Sequence, residues 1–164
     1  LKRMKRLHTY EDYKVKIDRM RELIPEIAVT TDIIAGFSGE AEEDHEATVK
    51  ALEEIRYDSA FIYKYSVRPG TPAAKLADDV PISIKARRLQ ELLSLQKKIT
   101  DECNRQWLGR VVHVTIEDTN PKNADQLVGR LDQDKKVISQ VDTTLIGTAQ
   151  NVILIDFPRS SDFS

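Results

Sequence analysis

The segment from Ile27 to Glu40 restricts the fold more than any other part of the chain. Ile27 to Ile34 reads IAVTTDII, β-branched and mostly apolar, the pattern of a buried strand. It runs directly into Gly36-Phe37-Ser38-Gly39-Glu40, where two glycines permit a tight turn and a close approach of backbone to a ligand. A helical stretch follows over 42–56, with Thr48, Leu52 and Ile55 on one face, and then a second strand, Ala60 to Tyr65. Strand, helix, strand in that order is the repeating unit of a parallel sheet in an α/β fold. Two strands do not complete such a sheet, so the missing ones are expected upstream of Leu1. That first residue, a leucine and not a methionine, reads as the start of a fragment.

The flanks agree with this frame. Thr9 is placed to cap a helix whose first turn holds Glu11 and Asp12, and whose apolar positions are Tyr13, Ile17, Met20 and Ile24. Pro25 stops that helix. Arg68-Pro69-Gly70-Thr71-Pro72 is a stiff loop after the second strand. Pro81 opens a long helix, with an apolar stripe at Ile84, Leu89, Leu92, Leu93, Leu95 and Ile99, ending near Trp107. From Gly109 the period changes to short alternating runs, Val111–Ile116, Leu127–Leu131, Val137–Val141 and Val152–Ile155, as in a small antiparallel barrel or sandwich. The expected organisation is a partial (β/α) barrel over 1–108, a small all-β, OB-like barrel over 109–157, and a tail over 158–164.

Composition excludes several classes. A net charge of −2 gives no global field for nucleic acid, so any RNA contact needs a local patch. A single cysteine, Cys103, excludes an internal disulfide framework and any cysteine-only cluster site, and fits a reducing cytosol. No apolar run approaches the roughly 18 residues of a membrane span. His8, His45 and His113 share no ligand spacing, so no metal site is expected.

Three segments carry a resemblance to a known family. Thr31 to Glu40 (TDIIAGFSGE) resembles the TDIIVGFPGET segment of radical S-adenosylmethionine methylthiotransferases. Tyr65 to Ala73 (YSVRPGTPA) resembles their YSPRPGTPA segment, and Lys2 to Arg6 with Thr9-Tyr10 resembles their K-x-M-x-R-x-Y-T segment. The order and spacing are the family's. The C-terminal run, with Gly129-Arg130, Asp134-Lys135 and Ile146-Gly147, is similar to the family's TRAM domain. Asp58 to Phe61 and the wording around Arg68 are closest to the MiaB type, which acts on N6-isopentenyladenosine at tRNA position 37. The alternatives are the sister enzyme that modifies an aspartate of a ribosomal protein, and a tRNA-binding fragment without chemistry. Ser38, Ala41 and Val67 replace the family's usual proline, threonine and proline, and no Cys-x-x-x-Cys-x-x-Cys motif is present.

The resemblance implies S-adenosylmethionine and two 4Fe-4S clusters in the full-length enzyme, with cluster ligands outside this chain. A chain without them is expected to be inactive alone. It also implies tRNA as partner and a cytoplasmic location. On that reading the strand and turn pack against the adenosyl group: Ile33 or Ile34 touches adenine, exposed amides near Gly36 and Gly39 bond its edge, and Asp32 and Glu40 bond ribose or fix the turn. Arg6 is a candidate for the cofactor's carboxylate, since guanidinium binds carboxylate in a bidentate way. Arg68 would hold that carboxylate or a tRNA phosphate. Lys122, Arg130, Lys135 and Lys136 are the candidate RNA contacts. The unpaired edge of a partial sheet is expected to promote self-association.

Each residue also has a plain reading. Gly36 and Gly39 fit ordinary turns, Arg6 and Arg68 fit solvated surface, and the acidic run from Glu40 to Glu46 fits a helix N-terminus. From Arg110 onward six Lys or Arg face eight Asp or Glu, so phosphate affinity there should be modest.

Overall fold

A computed structural model describes residues 1–140 and 142–156. The chain divides into two compact units, Leu1–Glu102 and a second from Cys103 onward. Val141, the end of one expected strand, and the expected tail from Pro158 lie outside the described residues.

The first unit is built from helix α1 (Tyr10–Leu23), strand β1 (Thr30–Ala35), helix α2 (Glu42–Ile55), strand β2 (Ser59–Lys64), a short 3₁₀ turn (Pro72–Lys75) and most of helix α3 (Ile82–Arg105). Thr9 caps α1 through a reciprocal pair: its hydroxyl accepts from the Asp12 amide, and Asp12 accepts from the Thr9 amide. β1 and β2 pair in parallel, Thr30 opposite Ser59 through Ala35 opposite Lys64. β1 begins three residues later than its apolar run, because the Asp58 carboxylate takes the Val29 amide at 3.0 Å. Burial alternates along both strands: Thr31, Ile33 and Ala35 point into the unit, while Thr30, Asp32 and Ile34 point out.

The buried stripe of α3 differs from the expected apolar one. It is Lys85, Arg88, Leu92, Gln96 and Ile99, three of the five polar. Leu93 is instead exposed. Each polar member has a partner: Lys85 meets Asp78, Arg88 meets Glu40 and Glu42, and Gln96 donates to the Tyr57 carbonyl at 2.9 Å. Satisfied polar groups share the central line of the helix face with Leu92 and Ile99, and Leu89 and Leu95 lie half-buried on its flanks.

The second unit is an antiparallel sheet of β3 (Val111–Thr119), β4 (Gln126–Leu131), β5 (Lys136–Gln140) and β6 (Ala149–Ile153), in the order β5-β4-β3-β6. Its core joins Trp107, Val112, Val114, Ile116, Leu127, Leu131, Val137 and Leu154. A bulge in β3 at Glu117 shifts the register against β4. Beside it a Cβ on Gly129 would lie 2.6 Å from the Thr115 carbonyl oxygen, so only glycine fits. The chain is thus a mixed α/β protein with a parallel pair and a separate small antiparallel sheet. Among the described residues neither sheet closes into a barrel. No described helix is long and apolar enough to cross a membrane.

Candidate functional site

The parallel register brings the C-terminal ends of β1 and β2 together, so the glycine turn and the Arg68 loop leave the sheet at one end. The Tyr65 amide donates to the Ala35 carbonyl at 2.8 Å, extending the pairing by one residue. The Tyr65 ring meets Phe37 edge-on, with centroids 4.9 Å apart.

The turn itself is tightly held. Gly36 and Gly39 have φ of +76° and +69°, in the left-handed region. Glu40 folds back so that its carboxylate accepts from the Gly36 amide at 3.0 Å and the Phe37 amide at 3.3 Å. Its other oxygen accepts from Arg88 at 2.8 Å, and Arg88 also donates to the Glu40 carbonyl and to Glu42. Burial works against the Arg88 charge, but its bonds to Glu42 and its closeness to Glu40 carry its pKa above the ordinary value. Glu42, bonded first by Arg88 and then by Arg87, is lowered to about 2. The Gly39 amide donates to Asp79 at 2.6 Å, and the Glu40 amide to the Phe37 carbonyl. The amides of residues 36, 37, 39 and 40 are therefore spent within the turn. This corrects the expectation of exposed turn amides that bond a ligand.

Both glycine hollows are filled by the protein. A Cβ on Gly36 would collide with the Lys85 stem, and one on Gly39 with the Arg3 guanidinium. Arg3 donates to the Ser38 carbonyl at 3.1 Å. Of the basic N-terminal run, Arg3 therefore reaches the turn. Arg6 is exposed, and its guanidinium has no partner among the described residues. Arg68 is likewise exposed with its guanidinium unpartnered, while its carbonyl accepts from Thr71.

Asp32 and Ile34 stand on the outward face of the sheet, opposite Phe61 and Tyr63. Ile34, Phe61 and Tyr63 are 43%, 61% and 54% exposed, a large apolar area for two short strands. Phe61 and Tyr63 escaped the sequence reading because aromatic residues in a strand read as core; the register with Asp32 and Ile34 shows their outward face. The outward face carries the Asp32 carboxylate and the apolar side chain of Ile34, and the loop bearing Arg68 leaves the sheet at its end. Two buried hydroxyls nearby, of Ser38 and Tyr65, have no hydrogen-bond partner among the described residues. An iron–sulfur cluster does not fit, because Cys103 is the single cysteine and the described residues contain no group of metal-ligating side chains.

The RNA candidates fall into two places. Arg130 and Lys136 are opposite one another on β4 and β5, with Lys135 in the connecting turn. Lys122 lies before the other end of β4. Arg130 is clamped between Glu117 and Asp134, and the Asp134 bond above all raises its pKa. Lys135 donates to the Asn104 side chain at 3.0 Å.

No family model matches the chain. Among curated proteins, the tRNA-2-methylthio-N(6)-dimethylallyladenosine synthase of Pelodictyon phaeoclathratiforme is 48% identical over 139 residues, covering 84% of this chain and 32% of that protein. The protein of the same name from Acetivibrio thermocellus is 45% identical over 152 residues, covering 93% and 32%. That of Bacteroides thetaiotaomicron is 41% identical over 153 residues, covering 93% and 34%. The chain thus spans about a third of the length of the curated relatives it matches. Identity at this level, reaching into both units and including the strand–turn and Arg68-loop segments, makes the chain a member of the MiaB-type methylthiotransferase family.

Proposed function

We propose that this chain is the part of a radical S-adenosylmethionine tRNA methylthiotransferase that closes the cofactor and substrate site, in an enzyme acting on carbon 2 of N6-isopentenyladenosine at tRNA position 37. The observation that carries this reading is the outward sheet face, where Asp32 and Ile34 stand across from Phe61 and Tyr63 at the end where Arg68 leaves the sheet. The names of the relatives support the same substrate. In the whole protein β1 and β2 are strands of a (β/α) barrel, and the outward face lines its interior. The second unit is its TRAM-like domain, built on the four-stranded antiparallel sheet. The two 4Fe-4S clusters belong to the remainder of the protein; S-adenosylmethionine bound at one of them supplies the one-electron chemistry.

The residues here bind and orient. Ile34 packs against adenine, Asp32 accepts from ribose, Arg6 or Arg68 pairs with the cofactor carboxylate, and Gly36, Gly39 and Glu40 hold the bend that sets their direction. Phe61 and Tyr63 offer flat faces to the target base, and Ile34 an apolar wall to its isopentenyl group. Lys122, Arg130, Lys135 and Lys136 touch tRNA phosphates, with a weak grip because of the acidic neighbours of Arg130. The enzyme works in the cytoplasm, where its tRNA is.

Mass spectrometry of tRNA from a strain lacking the gene tests the reading. Loss of 2-methylthio-N6-isopentenyladenosine, with the unthiolated base accumulating, is expected. Intact tRNA modification with a lost methylthio group on a ribosomal protein would assign the chain to the sister enzyme. In the full-length protein, Arg6→Ala or Arg68→Ala should lower methylthiolation without lowering the melting temperature, and unchanged turnover in both would remove those roles.

A further inference from the structure

We infer that Lys85 is a positioning residue: it fixes the glycine turn and the Arg68 loop in one mutual geometry, so that Asp32 and Ile34 on the strand that leads into the turn are set together with Arg68 on the other loop. This rests on the reading above that the cofactor binds on the outward sheet face at the end where these two loops leave it. Lysine is almost never fully buried unless its charge is compensated, yet Lys85 is 2% exposed at the N-terminal end of α3's buried stripe.

Its contacts show what it joins. The aliphatic stem occupies the hollow left by the missing side chain of Gly36, the first residue after β1. The ammonium group lies 5.1 Å from the ring centre of Tyr65, the first residue after β2. It also pairs with Asp78, whose neighbour Asp79 holds the Gly39 amide. One side chain thus touches the roots of both loops and the segment that straps the turn. Phe37 against Tyr65 closes the same circuit. A leucine or methionine would fill the hollow at lower desolvation cost, but it would not hold Asp78 or the ring. Buried ion pairs contribute little net stability, so the expected consequence of this one is geometric.

The test uses the full-length protein with Lys85→Met, which keeps the stem, and Asp78→Asn, whose site is part-exposed. Binding of S-adenosylhomocysteine is measured by calorimetry, and amide exchange is followed over residues 36–40 and 65–71. Lys85→Met, which leaves only part-exposed Asp78 unpaired, should melt close to the wild type, Asp78→Asn should melt lower because it strands the buried ammonium, and both should bind roughly tenfold more weakly or worse, as expected when binding groups are misplaced. Exchange should rise in both segments together, and the double variant should be no weaker than the worse single one. Wild-type binding with exchange unchanged in either segment overturns the proposal. If Lys85→Met fails to fold, Asp78→Asn decides on the same readouts. If the wild type binds no S-adenosylhomocysteine, the proposed function fails, and the exchange measurement still decides the role of Lys85.

Discussion

Gly36, Gly39 and Gly70 share a positive φ, but a methyl group added to each meets different surroundings. At Gly70 it meets open space, and at Gly39 the end of a flexible arginine that can swing away. At Gly36 it meets the stem of Lys85, which is held at both ends. Gly70→Ala and Gly39→Ala should therefore cost only left-handed strain, about 1–2 kcal/mol. Gly36→Ala adds overpacking of roughly 1–3 kcal/mol. Urea midpoints of the three variants should fall in that order, and three equal losses would contradict the contact with Lys85. The same residues show what the sequence conveys at this scale. A strand running into a two-glycine bend is visible in Ile27 to Gly39, but not what fills the bend. Hydropathy assigns Lys85 and Arg88 to solvent, because their burial depends on Asp78, Glu40 and Glu42 arriving from elsewhere in the chain.

The elements of the first unit are fastened to each other by ionic and hydroxyl contacts, which makes the unit sensitive to pH. Tyr10 of α1 donates to Glu54 of α2, Glu42 of α2 binds Arg87 and Arg88 of α3, and buried His45 of α2 meets Glu91 of α3. Glu42 is lowered to about 2. Glu54 is lowered by its bond to Tyr10, and Asp12 by the capping bonds from Thr9. A carboxylate with a depressed folded pKa stabilises fully above its unfolded value, and the contribution disappears as pH falls through the folded one. For Glu42 that window runs from 4.5 down to about 2. Tyr10, raised to about 12 by burial and then by Glu54, has the opposite sign. Its contribution is complete below 10.0 and lost as pH rises through about 12. Denaturant midpoints should therefore decline on both sides of a neutral plateau. Arg88→Met should lower stability on the plateau by about 1.5–3 kcal/mol, since it removes charged hydrogen bonds to part-buried Glu40 and to Glu42, and should flatten the acid limb that Glu42 provides. An acid limb unchanged in Arg88→Met would show that the pairing with Glu42 is not its cause. Element types were legible from periodicity, and the α1 cap from Thr9 and Asp12. The bulge at Glu117 was not, because it depends on how β3 meets Gly129 across the sheet.

At the scale of the molecule, the two units differ in how complete they are. The second has its own core around Val114 and Leu127, both fully buried. In the first, β1 and β2 each pair on one side among the described residues, and the outward face exposes Ile34, Phe61 and Tyr63. Apolar area of this kind, bordered by open strand edges, is a template for pairing with another chain. The 164-residue chain is therefore expected to associate with itself, with an apparent mass in light scattering that rises with concentration. Phe61→Lys puts a charge at the centre of that face and should shift the transition to higher concentration, whereas Val111→Lys, on an exposed position of the second unit, should leave it unchanged. The longer protein proposed above should not show the effect, because its (β/α) barrel covers the same edges and turns the same face inward. A monomer at every concentration tested would mean that this pair of strands does not seek a neighbour, and would take with it the argument that its outward face is the lining of a larger barrel.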